Sequence, residues 1–125
     1  MVRGLGIDIV EIERLRRSMS RTMGFAERVF DPGEIEYCRS MADPARHFAA
    51  RFAAKEAVMK ALGTGWSQGV AFKDIVVDHP EAGPPEVRLS GASAERFAEL
   101  GGQRILLSLS HEQTCAVATA LIEGD

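Results

Sequence analysis

The sequence predicts a single α+β domain spanning residues 1–125, with antiparallel sheet and about four helices. Three observations carry this. Two pairs of short alternating apolar segments, 72–78 with 86–89 and 104–110 with 115–122, are each separated by a turn, as in antiparallel pairs. A further alternating segment opens the chain at residues 3–12. The stretches between them carry helix punctuation: Asp-Pro starts at Asp31 and Asp43, and glycine stops at Gly63 and Gly101.

In the opening strand Leu5, Ile7 and Ile9 point one way and Gly6, Asp8, Val10 and Ile12 the other. Asp8 is thus a carboxylate in an apolar strand, where it needs a cation, a metal or a turn to bond. A helix from about Glu11 to Met23 follows, with Ile12, Leu15 and Met19 as its apolar stripe. Its other face carries Arg14, Arg17 and Arg21, with Arg16 alongside. From Arg14 to Arg28 there are five arginines and one acid, Glu27, with Met23 and Phe25 beside them. Such a run is a solvated face, a docking surface for an acidic protein or a phosphate-binding surface, and composition alone does not choose.

Asp31-Pro-Gly-Glu34 has the pattern of a capping box and opens a helix to about Met41, with Ile35 and Cys38 inward. Asp43 is expected to cap the main helix, Pro44 to take its first position and Gly63 to end it. Ala45, Phe48, Phe52, Val58, Met59 and Leu62 share one arc of that helix, and Lys55 falls inside the arc. An ammonium there needs an anionic partner or must snorkel out. Glu56 and Lys60, four apart, are surface neighbours: an ordinary helix pair, or a carboxylate and ammonium for a polyanion and its metal. Arg46, His47 and Arg51 add positive charge that suits a second phosphate. Gly63-Thr64-Gly65 lets a ligand approach the backbone, with free amides for its oxygens. Trp66 to Val70 reads as a loop, and residues 91–100 as a short helix with Ala94, Phe97 and Leu100 inward. His79 lies in a turn rich in Gly and Pro and is expected to be exposed; His111 ends the strand after Ser110.

The 125 residues suit one domain with a real core. The formal net charge of −3 argues against general nucleic-acid binding. No apolar run reaches membrane-spanning length, and strand-like sequence starts almost at Met1, so a cytoplasmic protein is expected. Cys38 and Cys115 suggest neither a disulfide framework nor a zinc site. No Ser–His–Asp or Cys–His arrangement is discernible, which fits a reaction whose nucleophile belongs to the substrate.

Three stretches together, Gly4-Leu-Gly-Ile-Asp-Ile-Val-Glu-Ile12, Arg51-Phe-Ala-Ala-Lys-Glu-Ala-Val-Met-Lys-Ala-Leu-Gly-Thr-Gly65 and Leu107-Ser-Leu-Ser-His-Glu112, resemble the signature of the short holo-[acyl-carrier-protein] synthases, a family of phosphopantetheinyl transferases. The resemblance implies transfer of 4′-phosphopantetheine from coenzyme A to a serine of apo acyl carrier protein, with release of 3′,5′-ADP, in fatty acid biosynthesis. It implies Mg²⁺, with Mn²⁺ as an alternative, held by Asp8 and Glu56. Asp8, Glu56 and Lys60 would then be catalytic. Arg46, His47, Arg51, Lys55, Lys60, Gly63, Thr64, Gly65, Ser110 and His111 would bind coenzyme A, with Lys55 on a neighbouring phosphate or on Glu56. The acidic carrier would dock on Arg14, Arg17, Arg21, Phe25 and Arg28. The family also implies a homotrimer with active sites between subunits. A transferase dedicated to carrier domains of a polyketide or peptide synthase, a non-catalytic coenzyme A or nucleotide-binding module and an RNA-binding module are the competing readings.

Overall fold

The computed structural model describes residues 1–65 and 69–125. Strand β1 (Val2–Glu11) runs directly into α1 (Ile12–Arg21), followed by a short α2 (Phe25–Val29), α3 (Pro32–Arg39) and the long α4 (Pro44–Leu62). A single 3-10 turn (Phe72–Asp74) leads into the pair β2 (Ile75–Asp78) and β3 (Glu86–Leu89), then α5 (Gly91–Glu99), β4 (Arg104–His111) and β5 (Cys115–Glu123). The strands form a three-stranded sheet in the order β1-β5-β4 and a separate two-stranded ribbon β2-β3, all antiparallel. Residues 66–68 of the expected Trp66–Val70 loop lie outside the described residues.

Helix α4 lies across one face of the three-stranded sheet and is buried on most of its circumference. The expected apolar arc is therefore wider than the large side chains alone indicate. Ala49, Ala50, Ala53, Ala54, Ala57 and Ala61 are all buried and cover the rest of the helix. Small residues answer them from the sheet: Ala116, Ala118 and Ala120 of β5, and Gly4 and Gly6 of β1. A methyl group on Gly6 would stand 2.0 Å from the Ala57 carbonyl oxygen, and one on Gly4 2.1 Å from that of Ala61. The helix backbone thus rests directly on the strand.

The opposite face of the same sheet is uncovered. Leu5, Ile7 and Ile9 project there from β1 at 63, 60 and 65 % exposure, in register with Leu121, Thr119 and Val117 of β5. On β4 the same face carries the exposed Leu106.

Most expected boundaries hold within a few residues. The capping box at the start of α3 is formed: Asp31 accepts from the Gly33 amide at 2.9 Å, and the Asp31 amide donates to Glu34 Oε1 at 2.9 Å. Cys38 is fully buried, and burial pushes its thiol up to about 11, in keeping with a core filler. Three details differ. Pro44 opens α4 as expected, but Asp43 does not cap it, because its carboxylate accepts from Arg16 at 3.0 and 3.3 Å. The expected strand from Phe72 begins only at Ile75. Helix α2, which follows Gly24 at φ 76°, is a fifth helix too short for periodicity to reveal.

Gly6→Ala should destabilise the chain by about 1–3 kcal/mol, since the methyl group must push the helix backbone off the strand. Urea unfolding followed by circular dichroism measures this; an unchanged midpoint would show that the helix–strand contact is looser than described.

Candidate active site

Strand β1 points Gly4, Gly6 and Asp8 toward α4, because alternate strand residues share a face. Asp8 therefore meets the helix just past the close glycine contact. Lys60 reaches the edge of β1, donating to the Ile7 carbonyl at 2.9 Å and to Asp8 Oδ1 at 3.1 Å. Glu56 stands one turn before Lys60. Its carboxyl is raised above the usual glutamate value by burial first, then by the negative charge of Asp8, with Lys60 opposing both. The three residues expected to be catalytic are thus brought together. A cleft of about 410 Å³ opens beside them, lined by Asp8 and Glu56 and by Arg14, Leu15, Phe25 and Phe52. Arg14 and Phe25, expected on a docking surface, form its far wall. Arg17, Arg21 and Arg28 are exposed on α1 and α2, and Arg17 lies 4.0 Å from Glu11.

The donor set here is two carboxylates. Among the described residues no cluster of three or more His, Cys, Asp or Glu side chains converges on a common point. Two hard oxygen donors on an open cleft fit Mg²⁺, which keeps most of its waters and takes few protein ligands.

A second group of side chains lies on the other flank of α4. His47 and Glu56 are nine positions apart, about half a turn out of phase at roughly 100° per residue. The His47 ring lies 6.4 Å from that of His111 at the end of β4 and 6.2 Å from Tyr37 of α3. The Arg51 guanidinium is 4.3 Å from the Tyr37 ring centre, and His79 stacks on Tyr37 at 4.8 Å. The His47 imidazole is held below its ordinary value by burial and then by Arg51, His111 and Arg46. The Nε atoms of Arg46 and Arg51 are buried without an acceptor. Arg46, His47, Arg51 and His111 are therefore gathered as expected. Tyr37 and His79 join them although the sequence reading left both outside; only the fold brings α3 and the turn after β2 to this point.

Three expectations do not hold. Lys55 is fully buried and cannot meet a phosphate. Its ammonium donates to Glu34 Oε1 at 2.8 Å, to the Phe72 carbonyl at 3.1 Å and to the Ile75 carbonyl, which uses all three protons. Glu34 Oε2 accepts in turn from the Val77 amide at 3.0 Å. Burial lowers the Lys55 amine, and the charge of Glu34 opposes the shift. Lys55 is a structural cation joining α4 to α3 and β2. The amides of Gly63, Thr64 and Gly65 are not free either: they donate to the Lys60 and Met59 carbonyls, closing the end of α4, with Gly63 at φ 75°. Thr64 is buried, and its hydroxyl donates to the Gly65 carbonyl at 3.3 Å. Ser110 lies on the outward face of β4, across Val117 from Ile9, while His111 faces α4. Within one chain Ser110 does not join the imidazoles.

A fold with carboxylates and an ammonium on one flank of a central helix, and arginines and histidines on the other, is built to handle phosphates. Known proteins share this sequence pattern and fold. Residues 4–118 match the 4′-phosphopantetheinyl transferase superfamily. A holo-[acyl-carrier-protein] synthase of Geotalea daltonii is 47 % identical over 124 residues, covering 98 % of this chain and 99 % of the relative. Among solved structures, the holo-[acyl-carrier-protein] synthase of Neisseria meningitidis superposes with a TM-score of 0.87 at 35 % identity, covering 98 % of this chain and 99 % of the other. That of Bacillus anthracis, solved in complex with CoA (3′,5′-ADP), superposes with a TM-score of 0.82 at 32 % identity over 100 % and 99 %. The chain belongs to the 4′-phosphopantetheinyl transferase superfamily, among its holo-[acyl-carrier-protein] synthases.

The Glu56 carboxyl should titrate above the ordinary glutamate value, and Asp8→Asn should bring it down by removing a like charge. Because the folded carboxyl keeps its proton to higher pH than the unfolded one, its contribution to stability falls as pH rises from the unfolded to the folded value and is flat above. Carbon-13 NMR of labelled glutamate checks the shift; a Glu56 midpoint unmoved by Asp8→Asn would separate the two carboxylates.

Proposed function

We propose that the chain transfers the 4′-phosphopantetheine group of coenzyme A to a serine of an apo acyl carrier protein, in fatty acid biosynthesis and with Mg²⁺. The observation that carries this is the convergence of Asp8 and Glu56 on the cleft walled by Arg14 and Phe25, with Lys60 bonded to Asp8. The serine oxygen forms a bond to the phosphorus that bears pantetheine, the bond from that phosphorus to the bridging oxygen breaks, and 3′,5′-ADP leaves. Asp8 and Glu56 are the residues that would hold Mg²⁺; when bound, it supplies charge neutralisation on the pyrophosphate. Mn²⁺ would suit the same two oxygen donors. Glu56, or a water held by it, takes the serine proton. Lys60 moves from Asp8 to the phosphate oxygens of the leaving group. The arginines of α1 and α2 attract the acidic carrier, and the flank with Arg46, Arg51, His47 and His111 receives the nucleotide phosphate of the donor.

The two flanks of α4 support a site shared between subunits, and the assembly proposed is a homotrimer. A donor whose nucleotide lies by His47 and whose pyrophosphate lies by Glu56 must span surfaces that face apart on one chain. Two neighbouring chains place one flank of each beside the same cleft. The uncovered Leu5, Ile7 and Ile9 face is the surface such an assembly would bury. No described helix is long and apolar enough to cross a membrane.

Intact-mass measurement of an apo acyl carrier protein mixed with the chain, coenzyme A and Mg²⁺ should show the gain of one phosphopantetheine. EDTA should abolish the gain, and Asp8→Ala or Glu56→Ala should reduce its rate by about a hundredfold or more. No gain with several carriers, while coenzyme A still binds, would leave a binding module. Ile7→Glu should convert the assembly to monomers in sedimentation velocity and remove activity with it; a fully active monomer would refute the shared site.

A further inference from the structure

We propose that Tyr37 and His79 complete the anion site on the basic flank of α4, Tyr37 as a positioning residue that holds the Arg51 guanidinium and His79 as a third imidazole facing the donor's phosphate. The inference rests on the reading of coenzyme A as donor and adds two residues that none of the sequence patterns contains. All three histidines of the chain meet here, from α4, from the end of β4 and from the turn after β2. Among the described residues no carboxylate lies within ion-pair distance of Arg46 or Arg51: Asp43, the acid just before α4, pairs with Arg16, and Asp78, beside His79, pairs with Arg88. Cys38, on the inner side, keeps its proton. Two guanidiniums without an ion-paired acid are a surplus of positive charge, and three imidazoles stand beside them. The buried, unpaired Nε atoms of Arg46 and Arg51 mark where an acceptor is missing. Tyr37 explains how the surplus is held. Its ring supports Arg51 from 4.3 Å and stacks with His79, so one side chain of α3 contacts basic side chains from two other elements.

A phosphate arriving here favours the protonated form of every nearby imidazole. By linkage, binding takes up protons, and affinity falls as pH rises through the imidazole range. His47, whose protonated form burial and its cationic neighbours disfavour in the free chain, contributes proton uptake when the anion arrives.

The test is isothermal titration calorimetry of the full chain with coenzyme A and with 3′-dephospho-coenzyme A, from pH 6.5 to 8, in buffers of different ionisation enthalpy. For the wild-type chain, the Kd for coenzyme A should rise about threefold or more over that interval, with net proton uptake. His79→Gln should weaken coenzyme A about three- to fivefold at pH 6.5 and flatten the slope. Tyr37→Ala should weaken it similarly, and Tyr37→Phe, which keeps the ring, should restore it. Dephospho-coenzyme A should be insensitive to each. In the transfer assay the same variants should raise KM for coenzyme A and leave KM for the carrier unchanged. The proposal is overturned if His79→Gln leaves both affinity and pH slope as in the wild type, or if the variants weaken both ligands equally. Should Tyr37→Ala not fold, His79→Gln, an exposed ring, decides alone. A wild-type chain that binds no coenzyme A at any pH would instead overturn the donor reading itself.

Discussion

The structure depends on the direct contact between the backbone of α4 and that of β1. Gly4 and Gly6 leave no side chain between strand and helix, and the Ala57 and Ala61 carbonyls fill the space that a Cβ would need. Two strand residues advance about 6.6 Å and four helix residues about 6 Å, so alternate residues of β1 keep step with successive turns of α4. Gly4 lies under Ala61 and Gly6 under Ala57. Asp8, the next residue on that face, enters the following turn, where its carboxylate is held between Glu56 and the extended arm of Lys60. A bulkier residue at position 6 would separate the elements and take Asp8 away from both partners. The glycines thus set the distance between the charges as well as the packing of the core.

Fully buried Lys55 performs a different task on the same helix. Its ammonium is saturated by Glu34 and two carbonyls, and Glu34 is itself fixed by the amides of Asp31 and Val77. Removing either partner would leave an uncompensated charge in the core, which is far costlier than losing a surface pair. The arrangement ties α3 and the start of β2 to α4. Through α3 it also places Tyr37 beside Arg51. One lysine of α4 thus holds the fold, while Lys60, five residues on and half exposed, reaches out to Asp8.

Much of this was legible because it is local. The capping box at Asp31, the proline start at Pro44, the glycine stop at Gly63 and the alternation of β1, β4 and β5 each depend on residues close in sequence. The Asp8, Glu56 and Lys60 group was legible from motif resemblance. What escaped depends on distance. Lys55 inside an apolar arc has the same pattern whether it meets a ligand or a buried acid, and its acid lies 21 residues away. Asp43 has the pattern of a cap, but Arg16, 27 residues earlier, captures it. The amides at Gly63–Gly65 looked available because a glycine turn announces conformation without saying which carbonyls it meets. Ser110 and His111 looked like one site, yet adjacent strand residues face opposite ways.

The chemistry explains why so few side chains converge. The attacking hydroxyl and the phosphates belong to the substrates, so the chain supplies no nucleophile of its own and needs no catalytic triad. It needs charges of the right sign at fixed separations, in a place that excludes competing water. A helix laid directly on a strand supplies the separations, because neither element can shift without overlapping the other's backbone. The apolar outer face of the sheet follows from the same economy of size. A chain of 125 residues covers one side of its sheet with α4 and leaves Leu5, Ile7 and Ile9 to be covered from outside.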